Sequence, residues 1–169
     1  MEILIYILSK ISRYNILNYM IPGVVELFFI DKVLGYTTIE TWPAYIICIV
    51  VYFMGLVFNR VGSVFIEPWY KCVKIVVYTP YADFVKAERK DGRLTTFSEV
   101  NNSYKTYTAE SLLLFIACIV LDLLRGTNLL CDWVRFISLF ALYILFSFSY
   151  HKQTAYIGKR TKSVNALVN

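Results

Sequence analysis

Histidine is nearly missing from this chain. His151 is the only one, and the four cysteines are scattered without a CxxC pair. A structural zinc site needs four converging His or Cys ligands, so no metal centre is expected. No Walker A, GxSxG or HExxH stretch occurs either. With one His and no clustered acids, the chain reads as a non-enzyme that uses no cofactor. Charge is scarce as well. Only 17% of residues are Asp, Glu, Lys or Arg, against about 25% in an ordinary soluble domain. Met1–Ser9 is apolar but carries Glu2, has no basic leader and shows no small-residue cleavage site, so it does not read as a cleavable signal peptide. No internal repeat or Gly/Ser-rich linker interrupts the chain.

What is abundant is apolar surface. Hydrophobic residues make up 58% of the chain and aromatics 17%, more than a water-soluble core can hide. Cys48, Cys118 and Cys131 lie in or beside apolar stretches and Cys72 follows one, as free thiols behaving like small hydrophobes would. Four segments, at about 14–36, 43–66, 109–126 and 129–150, approach the roughly 20 residues a membrane crossing needs. Of the 17 Lys and Arg, 14 fall on one side of that arrangement. They are Lys10 and Arg13, then Arg60, Lys71, Lys74, Lys86, Arg89, Lys90, Arg93 and Lys105, then Lys152, Lys159, Arg160 and Lys162. Lys32, Arg125 and Arg135 stand on the other side. Basic residues are retained on the cytoplasmic face. The expected fold is therefore all-α and integral to a bacterial inner membrane, with four crossings, both termini inside and a cytoplasmic middle interval. This orientation by itself accounts for most of the net charge of +5.

The expected organisation is an interfacial lead-in at 1–13, two crossings within 14–66, a basic interval and stalk at 67–108, a transmembrane hairpin at 109–150 and a polar tail at 151–169. In the first crossing, Pro22 frees the carbonyl of Asn18 and favours a bend. Glu26 then lies near mid-membrane, where an ionised side chain facing lipid is costly. In the second, Pro43 opens an uncharged run, and Tyr36, Trp42 and Tyr45 suit an outer aromatic belt. Arg60 and Glu67 share one helix face. Arg60 either snorkels to the interface or pairs with an acid on a neighbouring helix. Pro68 discourages continuation. Thr79-Pro80 reads as a cap and first helical residue for a short helix ending before Gly92. Thr96-Phe97-Ser98-Glu99 matches a capping box, predicting one helix from Phe97 to about Leu124, whose first half projects into the cytoplasm. Arg125-Gly126-Thr127-Asn128 reads as the turn of the hairpin. Asp122 with Arg125, and Asp132 with Arg135, are each spaced for a pair within one helix.

Two constellations carry functional weight. Glu26 in the first crossing and Arg60 in the second are the polar intramembrane candidates for a pore. A ring of Glu26 side chains in an oligomer would favour cations, while a buried pair or a protonated Glu is the structural alternative. The second constellation is Lys86, Arg89, Lys90 and Arg93, which follow helical spacing, with Lys105, Tyr104 and Tyr107 nearby. Cations interleaved with aromatics suit phosphate contact and base stacking, and a solvated face near anionic lipid is the simpler alternative. His151, just past the last apolar segment, reads as an interfacial structural residue.

Phe58-Asn59-Arg60-Val61-Gly62-Ser63-Val64-Phe65-Ile66-Glu67-Pro68, followed by Tyr81-Ala82-Asp83-Phe84 and Ser98-Glu99-Val100-Asn101-Asn102, resembles a group of small bacterial membrane proteins found beside anti-phage defence genes. These are the membrane effectors of Hailong-type systems, and the resemblance spans about 43–115. It implies an oligomeric ion channel controlled by short DNA oligomers that a nucleotidyltransferase partner makes. No motif transfers ligand or pore positions, so those named above come from the residues alone. The expected function is a homo-oligomeric, tetramer-favouring membrane channel gated by a cytoplasmic nucleotide or short DNA oligomer. A non-conducting membrane anchor for a soluble partner is the competing reading, and an enzyme acting on lipid is a third that the shortage of His opposes.

Overall fold

The computed structural model describes residues 13–31, 41–125 and 133–167. Most of the lead-in, Tyr36, Cys131, Asp132 with its proposed pairing, and the turn at Gly126-Thr127-Asn128 lie outside these residues. The described residues form helices and connecting segments, with no strand among them. α1 comprises Arg13–Asn15, a π-helical turn at Ile16–Met20, and Ile21–Phe29. α2 is Ala44–Cys72, with a π-helical turn at Gly62–Ile66. α3 is Tyr81–Glu88, α4 is Arg93–Arg125 and α5 is Trp133–Ala166. α2, α4 and α5 are each long and apolar enough to cross a membrane, and Ile16–Phe29 is a shorter apolar helix. The protein is thus all-helical and has the build of a multi-pass membrane protein.

Both π-helical turns occur at an X-Pro step. The Ile21 N–H bonds to the Ile16 carbonyl five residues back, and the next residue, Pro22, has no N–H to give. In this register the carbonyl left open is that of Leu17, not Asn18, and the Tyr107 hydroxyl donates to it at 2.5 Å. The freed group is therefore satisfied from another helix. The same local chemistry carries α2 through Pro68. The Glu67 N–H bonds to the Gly62 carbonyl, and Pro68 follows at the start of the next α-helical segment. Proline is tolerated in a first turn, so α2 runs on to Cys72 where a stop was expected.

α3 begins one residue later than predicted. Pro80 is itself the capping residue, and its carbonyl accepts the Asp83 and Phe84 N–H groups, both at 3.1 Å. α4 begins a turn earlier than the capping box implied. Asp91 caps it, its Oδ1 accepting the Arg93 N–H at 3.2 Å and its carbonyl the Leu94 N–H at 3.0 Å. Gly92 is not in the left-handed region expected of a helix-ending glycine. α5 absorbs the polar tail, so the sequence's change of composition near residue 151 is not a change of structure.

α4 and α5 pack along each other. At 33 and 34 residues each is about 50 Å long, against a hydrocarbon core of about 30 Å. The surplus of both helices lies at one end, where 93–108 meets 147–166. There Thr154 donates to Asn101 Oδ1 at 3.0 Å, Gln153 to the Phe97 carbonyl at 3.3 Å, and Arg160 pairs with Asp91 at 2.6 Å. α3 packs against this paired end. α1 crosses α2 with glycine at both contacts. A Cβ built on Gly23 would stand 1.8 Å from the Val51 carbonyl oxygen, and one on Gly55 1.8 Å from that of Tyr19. Small residues permit this approach, as in membrane helix pairs.

The packing is inverted relative to a soluble domain. α4 buries Lys105, Thr106, Thr108, Glu110, Ser111 and Asp122. The outer faces present Phe28, Phe53, Phe65, Leu123 and Phe148, each 62–65% exposed. Apolar side chains on that scale need lipid or another subunit around them. A small apolar core of Ile66, Tyr70, Val76, Ala109 and Tyr150 joins α2, α4 and α5. The Tyr70 hydroxyl reaches Tyr143 at 3.1 Å and Ser147 at 2.6 Å, and Tyr78 meets Tyr150 at 2.6 Å.

Candidate functional site

The interior where α1, α2 and α4 meet is polar. Asn18, fully buried, accepts from the Thr106 hydroxyl at 2.9 Å and donates to the Tyr14 hydroxyl at 3.2 Å. Asn102 donates to the same Tyr14 oxygen at 2.5 Å and to Asn59 Oδ1 at 3.3 Å. This network ties three helices together with its amides and hydroxyls satisfied, the condition under which buried polar groups add specificity at low cost.

Farther along the same interior, satisfaction ends. Among the described residues, no donor reaches Glu26 Oε2 or Glu110 Oε1, although both atoms are buried. Glu110 is only 6% exposed. The two side chains, on the packed helices α1 and α4, interact electrostatically with each other. Sequence reasoning found Glu26 from its depth in the first crossing and missed Glu110. The missed signal was position, since Glu110 falls one residue inside the third apolar segment. A buried Glu110 and a half-buried Glu26, each with a buried oxygen that no described donor reaches, need a proton, a cation or water between them.

The other predicted residues separate. Arg60 is exposed on the outer face of α2, beside Phe53, Val57 and Val64, and no described acid pairs with it. Glu67 pairs instead with Lys71 at 2.7 Å and with Lys105 at 3.1 Å. Lys105 is therefore buried and engaged. It borders a cavity of 330 Å³ whose lining includes Glu67, Glu88 and Glu99, surroundings that repel phosphate. Lys86, Arg89, Lys90 and Arg93 remain exposed around the α3–α4 corner. Arg135 reaches Asp122 across the α4–α5 pair at 2.5 Å, a cross-helix bond that spacing within either helix did not suggest. His151 Nδ1 meets the carbonyl of Ile75. That oxygen can only accept, so Nδ1 carries the proton.

A second cavity, of 390 Å³, opens between the 73–80 connection and α5, with Lys74, His151, Lys159 and Lys162 in its lining. Beside these geometric features stands no family likeness: no protein-family model, curated protein or solved structure matches the chain.

Proposed function

We propose that this chain is one subunit of an oligomeric membrane channel, controlled by a cytoplasmic nucleotide or short DNA oligomer and acting as an anti-phage effector of the bacterial inner membrane. The arrangement has four crossings, α1, α2, α4 and α5, with both termini and the paired α4–α5 end in the cytoplasm. The observation that carries the reading is the pair of donor-free carboxylates, Glu26 and Glu110, inside a polar interior wrapped by apolar outer faces. Acids at that depth mark ion or proton paths. Four helices are too few to enclose a pore in one chain, so several subunits, with a tetramer favoured, bring the half-exposed Glu26 around a common axis with Glu110 buried behind it and select cations. The basic corner of Lys86, Arg89, Lys90 and Arg93 faces the cytoplasm in this topology, which suits an anionic ligand from a nucleotidyltransferase partner.

Purified protein in liposomes tests the proposal. Cation flux that changes when a short oligodeoxynucleotide or nucleotide is added is expected, and Glu26→Gln and Glu110→Gln are each expected to lower the conducting-state flux about tenfold while oligomers stay intact, the scale of losing one cation interaction of about 1.4 kcal/mol. Intact oligomers without flux, with and without these ligands, would replace this reading with a non-conducting membrane anchor for a soluble partner.

A further inference from the structure

We infer that the 390 Å³ cavity between the 73–80 connection and α5 is a binding site for a phosphate group carried on a partly apolar ligand. Its cationic lining comes from two elements remote in sequence. Lys74 stands on the connection that leaves α2, and Lys159 and Lys162 project from α5, three residues apart and so on one helix face. Among the described residues, no carboxylate lines the cavity and none of the three ammonium groups makes an ion pair. All three lysines are exposed, so solvent screens their mutual repulsion, and an anion seated among them gains attraction from each.

The local structure supports a built site. Lys74 is the single non-glycine residue with positive φ among those described, at 57°. A lysine in the left-handed region is strained, and such strain persists where surroundings enforce it. His151 holds the same connection by donating from Nδ1 to the Ile75 carbonyl, which leaves Nε2 as its remaining polar atom. Gly158 lets the connection lie close, since a Cβ there would stand 3.2 Å from Thr79 Oγ1. The rest of the wall includes Ile75, Val77 and Ala155, which give an apolar surface beside the cations. Phosphate against lysine and an apolar body against this wall is the chemistry the cavity offers.

Two sources present that chemistry: the headgroup of an anionic phospholipid, and a soluble nucleotide or oligonucleotide. The cavity lies just past the apolar run of α5, within reach of either. None of Lys86, Arg89, Lys90 or Arg93 lines it. The inference thus rests on the proposed function only in adding a second phosphate-holding place to its basic corner, and it stands whether or not the protein conducts.

The experiment uses the full chain in nanodiscs with two probes. One is a radiolabelled short oligodeoxynucleotide added to pure phosphatidylcholine discs. The other is phosphatidylglycerol, present at one part in five in mixed discs and counted by native mass spectrometry. The variant combines Lys74→Asn, which keeps a residue tolerant of positive φ, with Lys159→Gln and Lys162→Gln. The comparator carries Lys152→Gln, an exposed lysine of α5 outside the cavity lining. Wild type is expected to retain at least one probe, the cavity variant to hold it about tenfold more weakly, and the comparator to stay near wild type. Retention of the oligonucleotide identifies a soluble ligand, and retention of phosphatidylglycerol a lipid. The inference is overturned if wild type binds neither probe, if the cavity variant binds as wild type does, or if the comparator loses as much. Ion flux is read separately in liposomes, so a protein that binds through these lysines but conducts nothing retains this inference and loses only the channel.

Discussion

Gly23 and Gly55 decide how closely α1 and α2 approach, and each does so against backbone. A methyl group at either position would meet a carbonyl oxygen at 1.8 Å. Carbonyls cannot rotate aside as a flexible side chain can, so the helices must separate. Gly23→Ala and Gly55→Ala are each expected to lower stability by about 1–3 kcal/mol, read as the unfolding midpoint in detergent. Gly92 is the control, because nothing lies within 4 Å of its added Cβ. Gly92→Ala should change the midpoint by less than about 0.5 kcal/mol, and equal losses at all three positions would reject close packing as the cause. Asp91 supplies a prediction in pH. The hydrogen bond from Arg160, foremost, holds its carboxyl below the usual carboxylate range. A lowered folded value means that the tie is complete above the ordinary range and is lost only as pH falls through the folded value. A carboxyl carbon titration should place the Asp91 midpoint below about 3.9, and Arg160→Gln should raise it. A midpoint already at the ordinary value would mean that the tie does not hold in solution.

At the scale of elements, the two π-helical turns join sequence to packing most directly. Pro22 removes an N–H, the register shift assigns the loss to Leu17, and Tyr107 on α4 supplies the substitute donor. Tyr107→Phe should cost about 1–3 kcal/mol through an orphaned buried carbonyl. Pro22→Ala restores a backbone N–H for α1, so the tyrosine substitution should cost less in that background. A double-mutant cycle on detergent unfolding measures the difference, and strict additivity would reject the link. The sequence was readable here only in part. Pro22 and Pro68 were visible as breakers, but a π-helical turn places each proline where its missing N–H does least harm, and that depends on which helix lies opposite. The capping box at Thr96 failed for a related reason. Asp91 offered the earlier acceptor, and Arg160, 69 residues away, holds it there. Composition marks the end of the apolar run near residue 151, whereas α5 continues as a helix, tied to Asn101 and Phe97 on α4 and to Asp91 at its cap.

At the scale of the molecule, the apolar outer faces and polar interior agree with what composition implied, an all-helical protein suited to lipid. The proposed orientation rests on a different quantity, the 14 of 17 basic residues that would fall on one side of a four-crossing arrangement. The fold shows why the two signals are separate. Arg160 is used to hold Asp91, and Lys105 to hold Glu67. Among the described residues, Lys86, Arg89, Lys90 and Arg93 make no side-chain hydrogen bond or ion pair, and they stay at the surface, where retention on the cytoplasmic side acts. If that rule governs, the corner between α3 and α4 is inside and the connection between α1 and α2 is outside. A cysteine-free chain carrying Gly92→Cys should react with a membrane-impermeant maleimide only after inner leaflets are opened, and one carrying Glu40→Cys should react in intact cells. Gly92 suits the purpose because it is exposed and space surrounds its Cβ position. The reverse pattern would place the basic corner in the periplasm. A cytoplasmic ligand could then not reach it, and the gating proposal would fall even if the pore acids still conducted.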